Sequence, residues 1–425
     1  MLNRLALTLV FTLSFLTYVA ENLTASLMLV PLVLFAALVY VRVFLSKSAL
    51  QAVGSLLDPD GLLYVLFIPA LTFGSSLEST YNKSPGYWLV DTLCLILARL
   101  YLTVVSIREL FEAFFWSGIL SVGIFTVWGF SSLMHSVETL ERLEPNSFHP
   151  NFLGFVLAAY FCAMVWKLLT GGWVEKILAG LVSFLCLAII FYASSRGAIV
   201  AILVGCLTVG AMAIVHAVKS RRKRFLRMGF LAIALLPLIA FSIQRLEWTQ
   251  DAADFVDQVL SLSSPGRGID SGFTGRADKW RTMTSVFYDG TWLLGRGIRS
   301  SSDMQPAIDN GYLVVLYELG VFPLILIVWR FLSILGSSVK GYFRAFTREQ
   351  RRFSLACCLL IVVFLVNNIV ERILFGVGNP LSLLALLLFV APTSQLNLCL
   401  GASTCDPRLP GRMANQTAPN IQASS

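Results

Sequence analysis

Apolar residues dominate this chain in repeated runs that short polar stretches separate. A helix needs about 20 such residues to cross a hydrocarbon layer about 30 Å thick. The pattern therefore predicts an all-α, polytopic integral membrane protein with about twelve transmembrane helices. These spans are expected at roughly 5–20, 27–45, 62–77, 87–105, 110–133, 152–169, 174–193, 197–218, 228–243, 311–335, 353–374 and 379–392.

One long polar interruption, Gln244–Asn310, breaks this pattern and holds nine acidic and seven basic residues. It is expected to form a single large periplasmic loop. Residues 1–398, loop included, then form one membrane domain. Residues 399–425 are rich in Pro, Ser, Asn and Gln and are predicted to be a disordered cytoplasmic tail. The first apolar run, after Arg4, is expected to be a retained helix, not a cleaved signal peptide.

The charge pattern orients the chain. Only 13% of residues are charged and 57% are hydrophobic, whereas soluble domains carry about 25% charged residues. Basic clusters at 219–227 and 340–352 lie between spans, and such clusters face the cytoplasm. Counting spans from them puts the N-terminus inside and the loops at 21–26, 78–86, 134–151, 193–197, 244–310 and 375–378 outside. The net charge of +8 is therefore loop charge and does not indicate nucleic-acid binding.

Cysteine and histidine do not indicate a metal centre. The eight Cys include no C-x-x-C spacing and six lie in apolar runs, while the chain has only three His. The cysteines are interpreted as small apolar residues. No metal site and no disulfide framework are predicted.

Arg196 lies between two long apolar runs, within Ser194-Ser195-Arg196-Gly197. An arginine is costly inside a membrane, but at the outer boundary its guanidinium offers paired donors that suit a diphosphate. The alternative is an interfacial anchor beside a turn glycine.

Two glycine–arginine motifs lie in the long loop. Gly275-Arg276 combines a flexible backbone with a cation, and the alternative is a solvated loop. Gly295-Arg296-Gly297 is a weak phosphate-loop pattern, since it lacks the third glycine and the preceding strand of a dinucleotide site. The alternative for this second motif is a plain turn.

Candidate acid–base residues lie just before two spans. Asp309 precedes Asn310 at the start of the tenth span, where it is a candidate general base on a sugar hydroxyl. The alternative is helix capping by Asp309 or Asn310. His149, before the sixth span, is a candidate proton acceptor or phosphate contact, and Asn151 is a candidate helix cap or supporting residue.

Two acids, Glu318 and Glu371, lie within expected spans. Each either forms a structural ion pair or lines a polar cavity, and the sequence leaves both interpretations open.

In order, spacing and position between spans, these motifs resemble the bacterial O-antigen ligase and polysaccharide polymerase superfamily. The resemblance covers roughly residues 147–320. It rests on Ser147–Asn151, Ser195–Ala198, Gly275-Arg276 through Trp280, Gly295-x-Gly297, Asp309–Leu313 and Glu318–Gly320.

The resemblance implies an inner-membrane glycosyltransferase that uses sugars linked through diphosphate to a polyprenyl lipid. It implies action at the periplasmic face without nucleotide sugar, metal or other cofactor, and direct displacement would invert the linkage. Arg196 and Arg276 match the arginines thought to hold the diphosphate, with Arg296 in support. Asp309 stands where ligases typically carry a His proposed as base. Exopolysaccharide polymerases vary more at this position, so the sequence favours a polymerase.

Other functions remain open alternatives. The nearest is an O-antigen ligase that transfers finished glycan to lipid A-core. A lipid-linked oligosaccharide transporter should carry polar residues at mid-membrane, whereas here they crowd one face. A membrane scaffold without chemistry leaves Arg196, Arg276 and Asp309 unexplained. The expected partners are the lipid-linked oligosaccharide, membrane lipids and other polysaccharide assembly and export proteins.

Overall fold

The computed structural model describes residues 2–19, 30–44, 49–79, 81–139, 150–219, 280, 292–303, 310–370 and 380–400. These residues form helices joined by turns and contain no β-strand, which confirms the all-α prediction. The expected ninth span, most of the 244–310 loop and residues 401–425 lie outside the described ranges.

The helices are numbered along the chain, and each successive bend or break starts a new number. They are α1 (Leu2–Val19), α2 (Val30–Phe44), α3 (Ala49–Gly54), α4 (Pro59–Leu77), α5 (Ser84–Tyr101), α6 (Ile107–Trp128), α7 (Phe130–Thr139), α8 (Pro150–Thr170), α9 (Trp173–Tyr192), α10 (Arg196–Lys219), α11 (Gly311–Leu319), α12 (Val321–Arg344), α13 (Arg348–Val370), α14 (Pro380–Val390) and α15 (Thr393–Leu400).

Within the described ranges, seven helices are long and apolar enough to cross a membrane, namely α4, α6, α8, α9, α10, α12 and α13. Shorter apolar helices occur at Asn3–Thr17, Val30–Phe44 and Pro380–Val390. The chain is therefore a multi-pass membrane protein. The total of twelve spans stays a prediction.

Helices α8 and α13 form the centre of the bundle. In each of them 72% of an apolar stretch of 18 residues is buried within the protein. The corresponding share is 28% in α10 and 33% in α9 and α12. The outer helices instead expose large apolar side chains, among them Phe184, Leu207 and Trp329. A hydrocarbon surrounding would cover this apolar surface, which would be unfavourable in water.

The expected tenth span, 311–335, is two helices. The chain breaks at Gly320, whose φ is +90°, a conformation that glycine adopts easily. A Cβ at Gly320 would lie 2.4 Å from the Leu293 carbonyl oxygen, and the Val321 amide donates to the Trp292 carbonyl at 3.0 Å. The loop segment before α11 is thus packed into the break, which hydropathy alone does not reveal.

Two buried arginines hold the end of α14. Arg330 donates to the carbonyls of Phe389 (2.8 Å) and Ala391, and Arg99 donates to the Val390 carbonyl at 2.6 Å. Asp60 lies 3.6 Å from Arg330, and Asp58 pairs with Arg99. Positive charge at a helix C-terminus is favourable, because the last carbonyls there lack partners within the helix. The cluster fixes α14 against α5 and α12.

A second buried cluster joins α6, α8 and the start of α9. Lys167 donates to Glu112 at 2.8 Å and to Glu175 at 2.9 Å, and its ammonium lies 5.0 Å from the centre of the Trp166 ring. The Lys167 side chain is only 6% exposed. Both clusters lie at helix ends that the charge pattern assigns to the cytoplasmic side.

Candidate functional site

Helix ends that are far apart in sequence meet at the side predicted to be periplasmic. A Cβ at Gly297 would lie 2.7 Å from the Ser75 carbonyl, at the end of α4, and 2.7 Å from the Ser84 hydroxyl, at the start of α5. The Ile298 amide also donates to the Ser76 hydroxyl at 3.5 Å. Part of the long polar loop, residues 292–303, is therefore packed onto the first third of the chain.

The Gly295-Arg296-Gly297 motif binds the end of α11. The Arg296 amide donates to the Tyr317 carbonyl at 2.9 Å and the Gly297 amide to the Glu318 carbonyl at 3.0 Å. Both glycines have positive φ, of 76° and 95°, and a Cβ at Gly295 would lie 2.4 Å from the Glu318 carbonyl oxygen. The glycines thus serve close packing in a turn, the alternative interpretation of this motif.

Arg296 has a defined neighbour in this turn. Its guanidinium lies 5.3 Å from the centre of the Tyr317 ring, a distance typical of a cation–π contact. This contact helps to hold the Arg296 side chain against α11. A supporting role towards a phosphate stays a prediction.

Asn310 caps α11 and ties it to α13. Its side-chain oxygen accepts hydrogen bonds from the Tyr312 and Leu313 amides, each at 3.0 Å. Its side-chain nitrogen donates to the Ile369 carbonyl at 2.8 Å, and the Tyr312 hydroxyl donates to the Leu365 carbonyl at 2.7 Å. Capping, the alternative interpretation, is therefore what Asn310 does. The preceding residue, Asp309, lies outside the described ranges.

Arg196 is the first residue of α10, after a tight turn. Ser194 has a φ of 50°, and the Arg196 amide donates to the Ser194 carbonyl at 3.1 Å. The Ser195 side chain packs so closely on α8 that a Cβ at Gly154 would lie 2.2 Å from its hydroxyl oxygen. Asn151 is in the first turn of α8, three residues before Gly154. The fold therefore places Arg196 and Asn151 at the starts of two adjoining helices.

The partly exposed Arg196 stands where an anion is favoured. The N-terminus of a helix presents amide groups without partners and a partial positive charge. A guanidinium at the same end adds a full positive charge with fixed donors. Arg276 and His149, the other residues predicted to contact the substrate, lie outside the described ranges, so their distances from Arg196 stay predictions.

A cavity of about 110 Å³ lies between α4, α5, the 298–301 segment, α11 and α14. Its walls are mostly apolar and include Ile68, Leu95, Val315, Leu319, Leu383 and Phe389. Among the described residues, three charged side chains also line it, namely Asp91, Arg299 and Glu318. Gly311, the residue after the Asn310 cap, is part of the wall, so the cavity reaches the start of α11.

The two acids of this cavity lie at the same position within their helices. Asp91 is seven residues after the start of α5 at Ser84, and Glu318 is seven residues after the start of α11 at Gly311. At 1.5 Å per residue each is about 10 Å from the outer end of its helix. The positive charge of Arg299 attracts both the Asp91 and the Glu318 carboxylate.

The two acids differ in their partners. The Ser301 hydroxyl donates to Glu318, and the backbone amides of Arg299 and Ser301 also lie against it. By contrast, the buried Oδ1 of Asp91 has no hydrogen-bond partner in the part of the chain that the structure describes. Such an atom is unusual in a native protein. Asp91 and Arg299 are not among the residues that the sequence motifs indicated, although a lone acid inside the expected fourth span was a usable signal.

No group of three His, Cys, Asp or Glu residues suited to a metal ion occurs among the described residues. Because His149, Asp309 and most acids of the long loop are not among them, the expected independence from metal stays a prediction.

The comparison with known families fits the same part of the chain. No curated protein matches the chain in sequence. Residues 181–328, from α9 into α12, match the family described as O-antigen ligase. The matched range includes Ser195–Ala198, Gly275-Arg276, Gly295–Gly297 and Asp309–Gly320, but not His149. The resemblance seen in the sequence is thereby confirmed over residues 181–328 of this multi-pass membrane protein, which are similar to the O-antigen ligase family.

Proposed function

We propose that this protein is a polymerase that joins polyprenyl-diphosphate-linked oligosaccharide repeat units into exopolysaccharide or O-antigen. It acts at the periplasmic face of the bacterial inner membrane. The observation that carries the proposal is the family match over 181–328, which contains Arg196, Arg276 and Asp309 in the expected order. Asp309, in place of the His typical of ligases, favours a polymerase over an O-antigen ligase.

The proposed reaction needs positive charge at its leaving group. The leaving group is an anionic diphosphate, so positive charge must be in place where its negative charge increases. Arg196 at the start of α10 offers that charge on a well-packed turn, and Arg276 is the second cation. Without a metal, these two arginines bind and orient the donor and stabilise the departing oxygen.

The proposed chemical step is a single displacement. A hydroxyl oxygen of the acceptor attacks the anomeric carbon of the donor sugar, and a new C–O bond forms while the bond to the diphosphate oxygen breaks. The hydroxyl proton goes to the carboxylate of Asp309, and polyprenyl diphosphate leaves with the bonding electrons. His149 contacts the phosphate or assists the proton transfer. The linkage is inverted because attack and departure lie on opposite faces of the sugar.

The described contacts support this arrangement next to Asp309. Asn310, the residue after it, is bonded to both α11 and α13. A base must lie within hydrogen-bond reach of the proton it takes, and rigid neighbours keep it there. A well-anchored neighbour is therefore what a general base at position 309 needs.

The first test is the glycan profile of a deletion strain complemented with wild type, with Arg276→Ala, or with Arg267→Ala. Arg267→Ala is the matched control, because it removes an arginine of the same loop outside the motif. Lipid-linked intermediates and lipopolysaccharide are separated by size. Single repeat units that accumulate, with no long polymer on any carrier, identify a polymerase, and Arg276→Ala should reproduce them.

Other outcomes of this test contradict the proposal in distinct ways. Long polymer stranded on the polyprenyl lipid, with bare lipid A-core, identifies a ligase. Unchanged glycans in the deletion strain reject both enzymes and favour a transporter or scaffold. Normal polymer from Arg276→Ala rejects its diphosphate role, and normal polymer length and yield from Asp309→Ala rejects that residue as the base.

Arg196 is tested with purified protein and radiolabelled lipid-linked repeat units. Removal of one preorganised donor to a developing negative charge typically lowers the rate about 100-fold or more. We expect that loss for Arg196→Ala, with normal amounts of protein in the membrane. Arg108→Ala is the control, since Arg108 is half exposed at the opposite end of the bundle. Equal rates for the two variants would reject the role of Arg196.

A further inference from the structure

The cavity beside α11 is not suited to the diphosphate of the donor. Its described wall holds two carboxylates, those of Asp91 and Glu318, and one guanidinium, that of Arg299. Carboxylates repel an anionic group, and burial strengthens that repulsion because little water screens it. A transferase nevertheless needs a place for a second, uncharged group, namely the hydroxyl that attacks.

We propose that this cavity is the acceptor subsite and that Asp91 accepts a hydrogen bond from a hydroxyl of the acceptor sugar. The inference rests on the proposed glycosyl transfer and adds a substrate-binding residue to it. It separates the two reacting groups by charge, with the donor diphosphate at Arg196 and the uncharged hydroxyl of the acceptor at Asp91.

Asp91 is available for such a bond because the donor side chains around it already donate hydrogen bonds to backbone carbonyls. The hydroxyls of Thr72 and Thr92 donate to carbonyls of their own helices at 3.1 and 2.7 Å, and the Trp88 ring nitrogen donates to the Pro69 carbonyl at 2.9 Å. Among the described lining side chains, the buried Oδ1 of Asp91 is left without a hydrogen bond. Asp91 is partly exposed and forms part of the cavity wall, so a hydroxyl of a bound sugar can donate to its carboxylate from the cavity.

The walls suit the remainder of a sugar. Trp88 lines the cavity with its ring held against Phe73, the two ring centres being 4.8 Å apart. Aromatic and aliphatic walls pack on the C–H face of a sugar, while a few placed polar groups fix its orientation. The volume of about 110 Å³ greatly exceeds the roughly 10–15 Å³ that one water requires.

The position of the cavity fits the reaction. Gly311 and Val314, in the first turn of α11, form part of its wall, and Asp309 is two residues before Gly311 in the sequence. A glycan held at Asp91 therefore extends along α11 towards the predicted base. Glu318 and Arg299 hold the 298–301 segment over the cavity, so they are positioning residues.

The test measures donor and acceptor separately, with purified protein in lipid nanodiscs. The donor is the host strain's own lipid-linked repeat unit, radiolabelled, and the acceptor is the same oligosaccharide released from its lipid. Asp91→Asn should raise the KM for the acceptor about tenfold to a hundredfold, the factor that one hydrogen bond to a charged group contributes. The KM for the donor should stay within twofold. Asp91→Glu should recover part of the acceptor affinity.

Two more variants separate the explanations. Glu78→Gln makes the same change of charge at an exposed residue after α4, outside the cavity wall, and should leave both KM values unchanged. Val314→Phe fills the cavity without touching a charge and should raise the acceptor KM as Asp91→Asn does. The second variant keeps the test open if Asp91→Asn fails to fold.

The failures are distinguishable. An unchanged acceptor KM in both cavity variants, or an increase confined to the donor KM, overturns the acceptor subsite while leaving the transferase intact. Wild-type protein that transfers no sugar from the lipid-linked donor overturns the proposed function itself, and with it this inference.

Discussion

Buried charges are partnered differently at the two ends of this bundle. At the end predicted to be cytoplasmic, Lys167 lies between Glu112 and Glu175, and Arg330 donates to the carbonyls at the end of α14. Nearer the opposite end, Asp91 faces a cavity, and its Oδ1 accepts no hydrogen bond from the described residues. Both regions are enclosed by helices, so burial alone does not explain the difference.

The difference separates structural from functional charge. Removing a charge from water costs several kcal/mol, and partners with good geometry offset that cost. Lys167 and Arg330 have such partners, which join three or more helices. Among the described residues, Asp91 lacks a full set of partners, and proteins usually carry such a defect at functional or strained sites. The following predictions test this contrast, from the largest effect to the smallest.

Lys167→Met should destabilise the protein most. It leaves Glu112 and Glu175 without their shared cation in a nearly dry site, and loss of one partner of a buried ion pair costs about 3–5 kcal/mol. The free energy of unfolding is measured by SDS titration in mixed micelles. Lys340→Met makes the same substitution at an exposed residue of α12 and should change it little. Equal losses for the two variants would contradict a structural role for the Lys167 cluster.

Gly297→Ala should have an intermediate effect, which tests whether the loop motif serves packing. The residue has a φ of 95°, and an added Cβ would lie 2.6 Å from the Ser79 Cβ. Strain and displacement of this size cost about 1–3 kcal/mol. Gly336→Ala is the control, since an added Cβ there meets nothing within 4 Å and an alanine in a helix is about 0.5–1 kcal/mol better than glycine.

The two glycine variants are compared by thermal unfolding and by the KM for the lipid-linked donor. A lower melting temperature for Gly297→Ala with an unchanged donor KM confirms a packing turn. If stability is unchanged and the donor KM rises, the motif binds phosphate after all.

Local sequence signals predicted much of this fold. Long apolar runs predicted the spanning helices, since length and hydropathy are properties of a single segment. The polar pair Asp309-Asn310 before an apolar run predicted a helix start, and Asn310 is that cap. The basic clusters predicted which helix ends share a side, and Arg108 and Glu349, both assigned inside, do pair.

Distant contacts could not be predicted in the same way. Arg99 donates to the carbonyl of Val390, 291 residues away, and nothing near either residue indicates the other. The break at Gly320 depends on Leu293 and Trp292, which hydropathy assigns to a separate loop. Asp91 also looks like any lone acid in a span until Arg299 and Glu318 are seen beside it. Its role depends on tertiary packing, which one sequence does not contain.

Asp91→Asn should change stability in the opposite direction from Lys167→Met. The amide removes a buried charge that lacks a full set of partners, while Arg299 keeps Glu318 as its counter-charge. A neutral amide costs less to bury than a carboxylate without a full set of partners, so the variant should unfold at slightly higher SDS than wild type. If Asp91→Asn is clearly destabilised instead, Asp91 has a structural partner and the contrast between the two ends fails.

Arg108→Gln should have the smallest effect, and it separates burial from mere pairing. Arg108 and Glu349 form an ion pair at the same end of the bundle as Lys167, but their side chains are 52% and 55% exposed. Water and salt screen such a pair, so its contribution is about 0–1 kcal/mol. The loss should decrease further in 0.5 M salt, whereas the loss caused by Lys167→Met should persist because its site is shielded. If Arg108→Gln instead lowers the free energy of unfolding by several kcal/mol independently of salt, ion pairs at this end stabilise the protein whether or not they are buried. The contrast between Lys167 and Asp91 would then not distinguish a structural charge from a functional one.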